Sequence, residues 1–159
     1  MVTHAVKRLR EAIGRPWMEG VGLADYYDGP VSGVTRLEPC EGTFSFDMLD
    51  WNGGHGTRIY ALRVLAEEDY QEFLRVAASL PRQPEDGTGY DRLQSIRRRA
   101  GPVVLIIAVD IYSNVGLAAW EVTPVEQDAW DFTPYFDDAI PEQSHDWFAL
   151  LGLTRSRPR

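Results

Sequence analysis

The sequence has little of what would cross-link the chain or bind a transition metal. Its 159 residues include one cysteine, Cys40, so no disulfide can form within the chain. The three histidines, His4, His55 and His145, are far apart in sequence, and no Cys-x-x-Cys is present. Because a structural zinc site needs several such ligands at close spacing, we predict no metal site and no cofactor.

Long apolar runs are missing as well. The longest run, Val103–Val109, is far too short to cross a bilayer. The opening residues, MVTHAVKRLREAIG, lack the continuous apolar stretch of a signal peptide. A single cysteine also fits a reducing compartment. We therefore expect a soluble, cytoplasmic protein that does not enter a membrane.

Basic residues are absent from one third of the chain. The formal net charge is −8, and residues 101–150 contain nine acids but no lysine or arginine. A negative chain is repelled by the phosphates of nucleic acid, so direct nucleic-acid binding is not expected. The concentration of acids in this one segment needs a cause of its own.

Alternating apolar residues predict a mainly antiparallel sheet. Thr43–Trp51 and Thr57–Leu65 each have a period of two, and the glycine-rich residues 52–56 between them predict a hairpin. Ser32–Leu37 is a further candidate strand. Val103–Ile111 is apolar without a break, which is typical of an inner strand buried on both faces, and Gly116–Val122 is its expected hairpin partner.

Helical spacing of apolar residues predicts up to four helices. They are expected at residues 4–13, Ala66–Leu80, Tyr90–Arg99 and Glu142–Leu151, and the arginine run that ends the third is predicted to be solvated. The glycine-rich stretch before Ser32 is predicted to be irregular. The fold class predicted is α+β: a single domain over residues 1–154, with about five strands and two to four helices on one face of the sheet. Residues 155–159 are predicted to be a frayed basic tail.

One short motif leads into the first predicted strand. Residues 26–33, YYDGPVSG, favour a turn at Asp28 and Gly29, with Pro30 fixing φ where the strand begins. The stretch resembles the opening YDGPxSG of certain small uncharacterised bacterial proteins. The resemblance covers about eight of the 159 residues; it implies a bacterial protein with a turn followed by a strand, and it implies no activity.

Aromatic rings and acids are concentrated together in the segment 121–147. Aromatic side chains supply affinity at protein interfaces, and an acidic field steers a basic partner to the surface. The sequence therefore predicts a non-enzymatic acidic protein-binding domain, such as an immunity-type or antitoxin-like inhibitor of a basic protein. The predicted partner-binding residues are Glu126, Asp128, Trp130, Asp131, Tyr135, Phe136, Asp137, Asp138 and Trp147.

The sequence is compatible with three alternatives. The acids could be neutralised within the chain by Arg97–Arg99 and by Lys7, Arg8 and Arg10. A small-molecule-binding protein or hydrolase could line a pocket with Asp28, Asp47 and Asp50. An oligomeric bacterial protein could use the aromatic segment as a subunit interface. No residue is assigned a catalytic role.

Overall fold

A single antiparallel sheet organises the computed structural model, which describes residues 2–52, 55–80, 88–135 and 145–154. Its strands are β1 (Met18–Tyr26), β2 (Pro30–Leu37), β3 (Gly42–Asn52), β4 (Thr57–Val64), β5 (Val103–Asp110) and β6 (Val115–Glu121). They lie side by side in chain order, so each strand pairs with its neighbour in sequence. The predicted α+β class is confirmed, with six strands rather than about five.

Five α-helices are present among the described residues. They are α1 (Val2–Glu11), α2 (Glu67–Ser79), α3 (Thr88–Arg97), α4 (Pro124–Ala129) and α5 (Trp147–Leu150), and a 3₁₀ helix spans Glu38–Cys40. The last helix is predicted over Glu142–Leu151. Within the described residues 145–154, it covers only Trp147–Leu150. Asp146 caps α5 by accepting a hydrogen bond from the Ala149 N–H. Residues 155–159, the predicted tail, lie outside the described residues.

Strand β1 lies in the stretch for which the sequence predicts irregular structure. It pairs with β2, but three register shifts interrupt the ladder and hide any period of two. Glycines are required here by packing: a Cβ on Gly22 would lie 2.8 Å from the side chains of Phe73 and Leu74 in α2. The contact with α2 is a tertiary constraint, so the strand propensity of the local sequence does not indicate it.

The centre of the sheet is buried on both faces. Strand β5 lies between β4 and β6, and Leu105, Ile106, Ile107 and Ala108 have no exposed surface. The prediction of an inner strand is therefore confirmed. The prediction that helices cover one face is wrong. Because both faces of β5 are apolar, both need a covering layer.

The two covering layers come from different parts of the chain. Helix α1 packs against the face that includes Leu105 and Ile107. Helix α5 packs on the opposite face, against Ile106 and Ala108. Helices α2 and α3 cover Val34 of β2, whose register through β3 and β4 places it on that same opposite face. The described core is thus a sheet between two helical layers.

Arg97 joins α3 to the sheet. The sequence predicts a solvated helix end at Arg97–Arg99, but the Arg97 side chain is buried. Its guanidinium donates to the Ser45 hydroxyl at 3.0 Å, the Phe46 carbonyl at 3.0 Å and the Asp47 carboxylate at 2.6 Å. A buried arginine is tolerated only where its donors are paired, as they are here.

Arg58 holds the turn of the YDGPVSG motif. The side chain has no exposed surface, and its two terminal nitrogens donate to the backbone carbonyls of Tyr27, Asp28 and Pro30 at 2.6–3.0 Å. The guanidinium also lies 5.0 Å from the centre of the Trp51 ring. No pattern in the sequence indicates this role, because Arg58 only interrupts the alternation of a strand.

Glycine is needed where the turn contacts the arginine. Gly29 has φ of 135°, a conformation that L side chains rarely adopt. A Cβ at this position would also lie 3.1 Å from the central guanidinium carbon of Arg58. The turn of the motif therefore depends on both the glycine and the buried arginine.

We expect Arg58→Met to lower the free energy of unfolding by roughly 2–4 kcal/mol, because each buried acceptor left unpaired costs free energy. Urea unfolding followed by circular dichroism measures the change. The matched control is Arg63→Met on the same strand, since Arg63 makes one long hydrogen bond, 3.4 Å, to the Gly101 carbonyl. Equal losses in the two variants would show that the Arg58 hydrogen bonds do not hold the turn.

Candidate partner-binding surface

The acidic segment crosses one face of the sheet after β6. It begins with α4, a short helix that is absent from the predicted elements. Thr123 and Glu126 form a reciprocal capping box there: each side chain accepts a hydrogen bond from the other residue's backbone N–H. Further along, the Tyr135 N–H donates to the Met48 carbonyl of β3 at 2.8 Å. These contacts place residues 123–135 against the sheet.

Aromatic rings join the two described ends of the segment. The Trp130 ring lies 4.7 Å from the His145 ring, 5.7 Å from the Trp147 ring and 6.2 Å from the Phe132 ring, measured between centroids. Phe132 and Trp147 are stacked at 5.7 Å. Trp130 and Phe132 are half-buried and form the outer side of this cluster. Trp130 and Phe132 are therefore partly exposed to solvent, and they pack on the buried Trp147 side chain.

Trp147 does not have the role that the sequence predicts for it. A partly exposed anchor is expected, but the side chain is 1% exposed and packs in the core with Phe148 and Ile106. It cannot contact a partner in this conformation. The residue type alone does not show whether a tryptophan is buried or exposed. That depends on how the segment packs in the folded structure.

Exposed apolar side chains extend the surface beyond the predicted set. Val125, on α4, is 76% exposed and is a new member, while Tyr135, a predicted one, is 43% exposed. The Thr-x-x-Glu pattern of the capping box could have located the start of α4 in the sequence, but the exposure of Val125 is known only from the structure. Phe136, Asp137 and Asp138, also predicted as partner-binding residues, lie outside the described residues.

The predicted acids divide into two kinds. Asp128 and Asp131 are exposed, and Asp131 accepts hydrogen bonds from nearby Thr133. Glu126 has a local task in the capping box and also accepts from the Trp120 indole N–H at 3.3 Å. Partial burial opposes the charged form of Glu126, but these hydrogen bonds outweigh it and lower its pKa.

Three of the six basic residues that could neutralise the segment make contacts elsewhere. Arg97 pairs with Asp47, and Arg99 pairs with Asp69 and Glu72 of α2. Arg10 donates to the Ala119 carbonyl through two nitrogens. Within the ranges that the structure describes, no ion pair includes Glu126, Asp128, Asp131 or Asp146. The carboxylates of Asp128 and Asp131 therefore face solvent with no described cation in contact.

The three aspartates of the predicted carboxylate pocket have different surroundings. Asp47 is paired with Arg97, and Asp50 is buried on the same face of the sheet. Asp28 lies in the exposed turn above Arg58, where its backbone carbonyl makes the hydrogen bond. In the part of the chain with described side chains, no three His, Cys, Asp or Glu residues are grouped so as to hold a metal ion.

Comparisons with known proteins found no match. No protein-family model matches the chain, and neither the curated proteins nor the solved structures include a significant match to it. Among the described helices, none is long and apolar enough to cross a membrane.

Two substitutions should separate the core ring from the surface ring. We expect Trp147→Ala to lower the free energy of unfolding by about 3–5 kcal/mol, because a large buried ring is replaced by a cavity. Tyr135→Ala should cost no more than about 1 kcal/mol, since much of that ring is in water. Urea titrations of the two variants beside the parent measure both values. Similar losses would contradict the assignment of Trp147 to the core.

Proposed function

We propose that the protein is a non-enzymatic, acidic protein-binding domain that contacts a basic partner through residues 125–135. The observation that supports this proposal most directly is the exposure of Asp128 and Asp131, beside half-buried rings and with no ion-pair partner in the described part of the chain. An unneutralised pair of acids costs stability through repulsion, which a partner of opposite charge would relieve. The mode of action is that of an immunity-type or antitoxin-like inhibitor.

The rings supply the apolar part of the proposed contact. Trp130 and Phe132 rest on buried Trp147, so their positions are held before any partner arrives. Side chains that are already ordered lose little conformational entropy on binding. Val125 and Tyr135 add exposed apolar surface along the same segment. Rigid aromatic contacts surrounded by polar residues are the usual composition of a binding hot spot.

The acids are proposed to orient the basic partner and to raise the rate of association. Charges at the rim of an interface act mainly on the association rate, because they attract an oppositely charged surface over a distance. Proteins that bind nucleic acid have such positive surfaces, built to contact phosphates. We therefore place the partner among basic, nucleic-acid-binding proteins, with nucleases as the enzyme class that an acidic inhibitor would cover.

A charge-reversal experiment tests the acidic surface. The full-length protein and its Asp128→Lys/Asp131→Lys variant are used as baits on extract of the native cell, and basic proteins retained by the parent are identified by mass spectrometry. The matched control is Glu68→Lys/Asp91→Lys, which changes the net charge equally at two exposed acids on α2 and α3. We expect the parent and the control to retain the same basic protein and the first variant to lose it.

Kinetics on the retained protein then separate the charge effect from a general defect. The Asp128→Lys/Asp131→Lys variant should associate more slowly, and added salt should slow the parent, because the Debye length falls from about 10 Å at 0.1 M to about 3 Å at 1 M. Retention by all three baits, or failure of the parent to retain any basic protein, would contradict the proposed function.

The aromatic contact makes a different kinetic prediction. Tyr135→Ala should raise the dissociation rate of the captured partner, with a loss on the order of 2 kcal/mol if the ring is an anchor. Surface plasmon resonance with immobilised partner measures both rates. A change in the association rate alone would mean that Tyr135 is not part of the contact.

A further inference from the structure

Three turns meet at one end of the sheet, those that join β1 to β2, β3 to β4 and β5 to β6. The first turn reaches across this end, because the Tyr27 carbonyl accepts a hydrogen bond from Arg58 of β4 at 2.6 Å. A Cβ on Gly29 would lie 2.6 Å from the side chain of Ile111, which follows β5. The Ile111 N–H in turn donates to the Gly56 carbonyl at 2.9 Å. The described residues of the three turns therefore form one packed surface.

Exposed tyrosines line this surface. Tyr26 and Tyr27 at the first turn are 62% and 56% exposed, and Tyr112 at the last turn is 73% exposed, more than any other tyrosine of the chain. Packing holds two of these rings in place. Tyr27 meets the half-buried Trp51 ring edge-on, with 6.1 Å between the centroids, and a Cβ on Gly56 would lie 2.5 Å from the Tyr112 ring. Rings that are already ordered lose little conformational entropy on binding.

The charge around these rings is negative. Residues 25–30, 50–58 and 109–115 contain four aspartates, no lysine and one arginine, Arg58, which has no exposed surface. Asp25 and Asp28 are exposed, and no ion pair between described residues includes either of them. Ring faces and carboxylates both attract cations. The composition of this surface therefore fits a positively charged group.

We propose that this surface binds an arginine side chain presented by an extended segment of another protein, with the guanidinium against the exposed tyrosine rings and paired with Asp28. Arginine suits this role because its planar guanidinium stacks on aromatic faces and donates two parallel hydrogen bonds to a carboxylate. A second copy of the chain fits poorly, since its own aspartates would face these. The surface contains no residue of 125–135, so it does not depend on the proposed function.

The experiment measures binding of a short fluorescein-labelled peptide, in which arginine alternates with serine, to the full-length protein by fluorescence anisotropy. The salt concentration is about 0.15 M, where the Debye length of about 8 Å screens distant charges. We expect saturable binding with a Kd below about 1 mM. Replacing each arginine by citrulline, which has nearly the same shape and no charge, should weaken binding about tenfold or more, because the attraction to rings and carboxylate is lost.

Variants at exposed positions locate the contact. Tyr26→Ser/Tyr112→Ser should weaken binding of the arginine peptide about tenfold or more, because it removes the two most exposed rings. Tyr90→Ser, which removes an exposed ring on α3, is the control and should leave binding unchanged. Asp28→Asn should weaken binding about threefold, since an exposed ion pair contributes little. Urea midpoints near that of the parent would confirm that the variants are folded.

Absence of saturable binding, equal binding of the citrulline peptide, or unchanged binding by Tyr26→Ser/Tyr112→Ser would each overturn the proposal. A parent dimer in sedimentation that becomes a monomer in the tyrosine variant would also overturn it, because a second copy would then occupy the surface. The peptide should still bind to Asp128→Lys/Asp131→Lys. Loss of binding in that variant alone would place the peptide on the acidic segment, which would contradict this proposal and leave the proposed function intact.

Discussion

Burial of the central strands on both faces is the constraint on which the rest of the structure depends. Ile106 and Ile107 are adjacent in sequence and point to opposite sides of the sheet, yet neither has exposed surface. Each face must therefore be covered, and the chain has to supply two separate layers. Helix α1 covers one face. The other face is shared by α2, α3 and the segment after β6. The position of the acidic segment follows from this need, since its rings are what seal that end of the sheet.

Arginines that contact the fold, two of them buried, account for part of the charge pattern. Arg58 is satisfied by backbone carbonyls, Arg97 by a carboxylate together with a hydroxyl and a carbonyl, and Arg10 reaches the Ala119 carbonyl of β6. These cations tie loops, strands and helices together, so they are not available to neutralise acids elsewhere. Arg99 is likewise held by two acids of α2. Asp128 and Asp131 are exposed and have no ion-pair partner among the described residues, while these four arginines make contacts elsewhere in the fold.

The fold could be predicted from sequence wherever burial alternates in a simple period. Strands β3, β4 and β5 begin and end within about two residues of their predicted limits, because hairpin strands and a doubly buried strand have clear apolar patterns. Strand β1 could not be predicted, since its glycines are selected by contact with α2 and its ladder has three register shifts. For the candidate surface, the exposed acids could be identified from sequence. The burial of Trp147 could not, because it depends on α5 meeting β5 and β6 across the sheet.

The same segment therefore has two physical tasks that fall on different residues. Trp147 and Phe148 are buried in the core, while Asp128 and Asp131 are exposed to solvent. Trp130 and Phe132 lie between these groups and touch both the core and the water. This division matters for evolution as well as for experiment. Because Asp128 and Asp131 are exposed, substitutions at these positions should cost little stability, whereas the rings beneath them are constrained by packing. Under the proposed function, exposed charges on a packed aromatic base would let the specificity for a partner change without refolding of the domain.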